Sequence, residues 1–182
     1  MAARTSRPVG GWFTVGLANG WAYDAGMSRT PMSFVPFVGG IIAVPWVGTA
    51  AVGARARKPV WMTAIAGLLG LGLHLANGGP DVQRDRVAGR RSLPVLLGDS
   101  RSRDGAHLAL TGATALVVAS APVSGRRSSW LGAAACLGLL AWDRCQASNL
   151  RNPGHHPFVL PVLAAGALSA GWLSGAAGSD RH

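Results

Sequence analysis

Residues 59–80 read Pro-Val-Trp-Met-Thr-Ala-Ile-Ala-Gly-Leu-Leu-Gly-Leu-Gly-Leu-His-Leu-Ala-Asn-Gly-Gly-Pro, 22 positions without a charge. Three more uncharged runs, 30–54, 105–125 and 152–179, extend over 25, 21 and 28 positions. A soluble helix of that length needs a polar face, whereas a helix crossing a bilayer needs roughly 20 predominantly apolar residues. Of the 182 residues 49% are apolar and only 13% charged, and the mean hydropathy is positive. This composition excludes a disordered chain and argues against a water-soluble domain. The reading is an all-α, polytopic transmembrane helix bundle forming a single domain over 1–182.

Six apolar segments can be marked, at about 9–27, 34–53, 60–79, 105–123, 129–148 and 157–176, which predicts five or six spans. Lipid cannot satisfy open backbone groups, so spans must be helices or closed barrels. Barrel strands alternate apolar and polar residues, and these runs do not. The 26 glycines suit close helix–helix contact through small-xxx-small spacing, as at Ala66 and Gly70. Trp12, Trp61 and Trp130 open their segments, where aromatic belts are expected. A polar loop, 80–104, separates the third and fourth segments and carries six arginines.

The charge is almost all arginine: 16 Arg, one Lys, seven Asp and no Glu, a net of +10. In a soluble protein that balance suggests a nucleic-acid partner. Here the arginines lie between apolar runs, with no basic stripe of interleaved aromatics, so nucleic acid is not expected. Anionic lipid headgroups or a phosphorylated substrate fit better. Basic residues divide almost evenly between alternate loops, so charge bias leaves the orientation open. Cys136 and Cys145 read as small buried residues without zinc spacing. The basic N-terminus lacks a good cleavage context and reads as a retained segment.

The chemistry is concentrated in His74-Leu-Ala-Asn77-Gly-Gly-Pro80-Asp81-Val-Gln-Arg84-Asp85-Arg-Val-Ala-Gly89-Arg90-Arg91-Ser92-Leu93-Pro94-Val-Leu-Leu97-Gly98. If helical geometry persists, positions 74, 77, 81 and 85 step by three and four and share one face. Pro80 deprives the Ala76 carbonyl of its usual donor and is expected to kink the helix. Two carboxylates a turn apart suit Mg²⁺, which takes one or two carboxylates, keeps several waters and accepts substrate phosphate oxygens. Arg90 and Arg91 offer fork-like hydrogen bonds to the same anion. The bland alternative is a solvated helix with surface ion pairs. Against it, these are two of only seven acids and directly follow a span with polar residues, where such groups mark function.

This stretch resembles the second aspartate motif of the UbiA prenyltransferase superfamily, N-x-x-x-D-x-x-x-D followed by G-x-R-[TS]-L-x-V-x-L-G. Upstream, Tyr23-Asp24-Ala-Gly26-Met-Ser28-Arg29-Thr30-Pro31-Met-Ser33-Phe-Val-Pro36-Phe37 resembles the tyrosine-plus-basic loop between the family's fourth and fifth helices. Together the similarity spans about residues 15–100. It implies a nine-helix intramembrane transferase that ionises a polyprenyl diphosphate and passes the prenyl group to an aromatic or other lipophilic acceptor. By position, Asp81 and Asp85 would ligate Mg²⁺, Asn77 would support them, and Arg90, with Arg91 beside it, would bind diphosphate. Tyr23 would face the reacting carbon with Arg29 near the phosphates, and Trp21, Phe37 and Trp61 are candidates for a cation-facing wall. The resemblance also implies an integral protein of the cell membrane with its active-site loops cytoplasmic.

Two positions depart from the pattern. Ser28 stands where the family usually carries Lys, so Arg29 would substitute. The first aspartate motif is missing: before residue 81 the only acid is Asp24. The expectation is an N-terminally truncated member, the C-terminal two-thirds of a UbiA-type bundle: either the start is misplaced, or the gene is truncated, or a partner chain supplies the other half, and inactivity of the fragment alone is one expected outcome. An alternative of another class is a non-catalytic membrane protein: a pseudoenzyme, an assembly partner or a small carrier. Elsewhere, His155-His156 reads as a polar loop, Asp143-Arg144 as a local ion pair or snorkelling pair, and Ser100–Asp104 as a helix cap.

Overall fold

The computed structural model describes residues 2–51, 59–121, 126–148 and 158–178. Their regular structure is helical, with no strand among the described residues. The elements are α1 (Ala2–Asp24), α2 (Phe34–Ala51), α3 (Pro59–Gly78), α4 (Val82–Val87), α5 (Leu93–Leu97), α6 (Asp99–Ser120), α7 (Arg126–Ser148) and α8 (Val159–Gly178). The six apolar segments correspond to α1, α2, α3, α6, α7 and α8. Phe34–Ala51 and the helical path Val60–Val87 are long and apolar enough to cross a membrane, and Val159–Leu173 is a shorter apolar stretch.

α3 is the centre of the arrangement, packed along α2 on one side and α6 on the other; α1 lies on α2, and α7 on α8. Ile65, Leu69, Leu110, Val117, Cys136 and Leu168 form the core where α3, α6, α7 and α8 converge. Lipid is as apolar as these side chains, so close fit rather than water exclusion must hold them together. Small residues make the fit. A methyl at Gly70 would stand 3.1 Å from the Val38 backbone of α2, and one at Gly132 would stand 2.8 Å from the Ala167 carbonyl of α8. Large apolar side chains such as Phe13, Val44, Leu108 and Trp142 point outward. That face would be a liability in water and is normal against lipid.

Several expectations change in detail. α1 begins at Ala2, so Trp12 sits mid-helix and stacks on Trp46 at 5.0 Å instead of opening a span. Cys136 is buried, but Cys145 is exposed. The 80–104 stretch is not an open loop. A single 3-10 turn at Gly79–Asp81 leads into α4, the chain reverses at Gly89 (φ 71°), and α5 follows an extended Arg90–Ser92. Gly98 (φ 85°) then turns the chain into α6, which takes in Ser100–Asp104. Those residues are therefore inside the helix and not its cap; Ser102 Oγ donates to the Pro94 carbonyl at 3.3 Å. Gly78 is where this folded segment meets α3, since any side chain there would enter the Pro94 ring.

Candidate active site

Tyr23 stands in the last turn of α1. Gly26, at φ 127°, lets the chain leave the helix into a 3-10 turn over Met27–Arg29, a conformation that only glycine adopts without strain. Thr30 closes that turn, its hydroxyl donating to the Met27 carbonyl at 2.9 Å. The turn delivers Ser33, fully buried, to α3. Ser33 Oγ lies 3.0 Å from His74 Nε2 and accepts the Leu93 N–H at 3.1 Å. Two residues earlier, the Arg91 N–H donates to the Arg29 carbonyl at 2.9 Å. The two stretches that carry the motifs are thus stitched together although some 60 positions separate them. Three rings close the corner: Phe37 lies 5.3 Å from His74, Tyr23 lies 6.4 Å from His74 edge-on, and Tyr23 and Phe37 are 6.0 Å apart.

The carboxylates stand beside this corner. Pro80 occupies the 3-10 turn after α3, so the bend falls between two helices and the helical path resumes in α4. The expected stripe is uneven as a result. His74 is 3% exposed and faces the rings, whereas Asn77 is exposed. Asp81 pairs with Arg84, and its side chain is 45% exposed. Asp85, 19% exposed, pairs with Arg90 at 3.1 Å, while its carbonyl accepts the Arg90 N–H at 2.9 Å. Tyr23 is within Coulombic reach of both Asp85 and Arg90. The structure therefore gathers Tyr23, Asp85 and Arg90, with the Arg29 and Arg91 backbones, at one end of the bundle. Asp81 is one turn away and Asn77 faces outward. Of the aromatic candidates, Phe37 joins Tyr23, Trp21 is exposed and Trp61 is half-buried.

This donor set fits Mg²⁺ of one kind. Among the described residues no cluster of three His, Cys, Asp or Glu could enclose a metal. Two partly accessible carboxylates suit a hydrated ion that completes its shell with substrate oxygens. Ion pairs with exposed arginines are weak, so Arg84 and Arg90 can give way to, or share, a ligand.

The model of the UbiA prenyltransferase family matches residues 1–157 of this sequence. The chain belongs to that family. No curated protein and no solved structure matches it. The family match runs past the motif-bearing half into α6 and α7, and it brings with it a transferase-type, membrane-associated class of protein.

In those helices lies a polar cluster that the sequence reading missed. His107 Nε2 lies 2.9 Å from Asp143 Oδ2; Arg144 Nε donates to His107 Nδ1 at 3.1 Å, and Arg144 Nη2 to Asp104 Oδ1 at 2.8 Å. Since Nδ1 accepts, Nε2 carries the proton and donates to the carboxylate. Asp143-Arg144 is thus a clamp between α6 and α7, which corrects the local-pair reading. The available signal was an acid inside an apolar run, which demands a partner on a facing helix. His155 and His156 lie outside the described residues.

Proposed function

We propose that this protein is a Mg²⁺-dependent intramembrane prenyltransferase that moves a polyprenyl group from its diphosphate to a lipophilic acceptor. The observation that carries the reading is the Arg91–Arg29 backbone bond, which holds the tyrosine loop against the second aspartate motif. In this reading the C1–O bond of the prenyl diphosphate breaks and its electron pair leaves with the diphosphate. The allylic cation then bonds to a nucleophilic atom of the acceptor, and the displaced proton passes to the departing diphosphate. Arg90 and Arg91 bind the leaving group through charge-assisted hydrogen bonds, and the faces of Tyr23 and Phe37 stabilise the cation. Arg29 adds positive charge from the opposing loop. Asp81 and Asp85 would hold magnesium, which would supply neutralising charge to the diphosphate. In this reading the active-site loops face the cytoplasm from the cell membrane, as the family resemblance implies.

A second reading rests on a specific observation: both carboxylates already engage arginines, as on an ordinary solvated helix. In that case the chain is a non-catalytic membrane partner. Calorimetric titration of the detergent-solubilised protein with geranylgeranyl diphosphate separates the two. The transferase reading expects Mg²⁺-dependent binding that weakens about 100-fold in the Asp81→Asn/Asp85→Asn double variant. Equal binding by both proteins rejects the assigned site.

A further inference from the structure

We infer that Ser33 and His74 are positioning residues, a buried pin that sets the distance between the tyrosine loop and the Arg90–Arg91 segment; the inference rests on the transferase reading above. Ser33 Oγ stands where three elements meet: its own turn before α2, His74 on α3, and the Leu93 amide that opens α5. Having accepted the Leu93 N–H, the hydroxyl still has a proton to donate, and His74 Nε2 at 3.0 Å receives it. The opposite assignment would leave both the serine proton and Nδ1 without partners. The ring proton therefore sits on Nδ1, and His74 acts through Nε2 as an acceptor. Nδ1 is buried and makes no hydrogen bond. A histidine retained in an apolar helix with half its polar capacity unused is not there for packing alone, since an apolar residue of similar size would fill the space without that cost.

The same ring packs at a tilt against Phe37 and edge-to-face with Tyr23. The Ser33–His74 pair thus joins the amide next to the diphosphate-binding arginines, held by Ser33, to the ring that faces the cation, packed on His74. Displacing the pair shifts Tyr23 while leaving Asp81 in its 3-10 turn, Asp85 on α4 and Arg90 tied to Asp85 by side chain and backbone. The consequence is a selective loss: turnover falls, and diphosphate affinity does not.

The test uses the full chain in detergent. Amide hydrogen exchange is followed over residues 89–95, and diphosphate release from geranylgeranyl diphosphate with Mg²⁺ is measured. Ser33→Ala and His74→Leu are expected to speed exchange at Arg91 and Leu93 about tenfold. They should lower kcat about tenfold with KM within about twofold. His74→Gln, whose amide oxygen reaches the Nε2 position, should restore most of both. Unchanged exchange overturns the pin, and so does faster exchange with unaltered kcat, or an equal fall for His74→Gln and His74→Leu. If the unsubstituted protein releases no diphosphate, the transferase reading fails, and exchange alone decides whether the pin exists.

Discussion

Two buried histidines anchor opposite parts of this bundle, and they are satisfied in different ways. His107, between α6 and α7, uses both nitrogens, one on Asp143 and one on Arg144, and the network runs out to Asp104 at the surface. His74, between α3 and the α1–α2 turn, uses one nitrogen on a neutral hydroxyl and keeps the other without a partner. The first arrangement is charged, with both ring nitrogens engaged, as expected of a structural tie inside lipid, where an uncompensated charge is costly. The second is open and surrounded by rings, one of which, Tyr23, is within Coulombic reach of Asp85 and Arg90. The partners of the ring nitrogens therefore separate a clamp from a site more clearly than burial does, because the two histidines are almost equally deep.

If that distinction is right, the clamp should dominate stability and the site should dominate ligand binding. The largest effect is expected at Asp143, which is fully buried. Asp143→Ala strands His107 and Arg144 and should cost about 3–5 kcal/mol, read as a large fall in the thermal midpoint of the solubilised protein. Its remaining folded fraction should bind geranylgeranyl diphosphate normally. A midpoint within a degree or two of the unsubstituted protein would remove the clamp from the account. Next, Arg90→Lys keeps the charge but loses the planar fork. Diphosphate affinity should drop about tenfold by calorimetry with little change in thermal midpoint. The reverse outcome, stability lost and affinity kept, would make the Asp85–Arg90 pair structural. The smallest change belongs to Asp104→Asn, at the exposed end of the clamp, where side-chain exposure is 69%. It should alter stability by less than about 1 kcal/mol, and the difference from unsubstituted protein should shrink in high salt.

Much of this was legible along the chain. Long uncharged runs located the helices to within a few residues at most ends, and the Asp-x-x-x-Asp stretch with its Gly-Arg-Arg tail lies at the same end of the bundle as Tyr23. The errors share a cause. The 80–104 segment looked like a loop because its polar residues mask two short helices that α3 and α6 support, with Pro94 seated over Gly78. Asp143-Arg144 looked local because nothing in its neighbourhood reveals that His107 faces it from another helix. Ser33, a small residue in a turn, gave no hint that it would be fully buried.

Long runs without charge leave a backbone in lipid no option but helices, so class, helix positions and the inventory of polar groups follow from composition and order alone. Which polar groups meet does not. Ser33 finds His74 across 41 positions and Leu93 across 60, and His107 finds Asp143 across 36. Such partners are selected by how closely glycine-lined helices approach and by how they rotate about their axes. That selection is a property of packed surfaces, and it is invisible to any reading that moves one residue at a time.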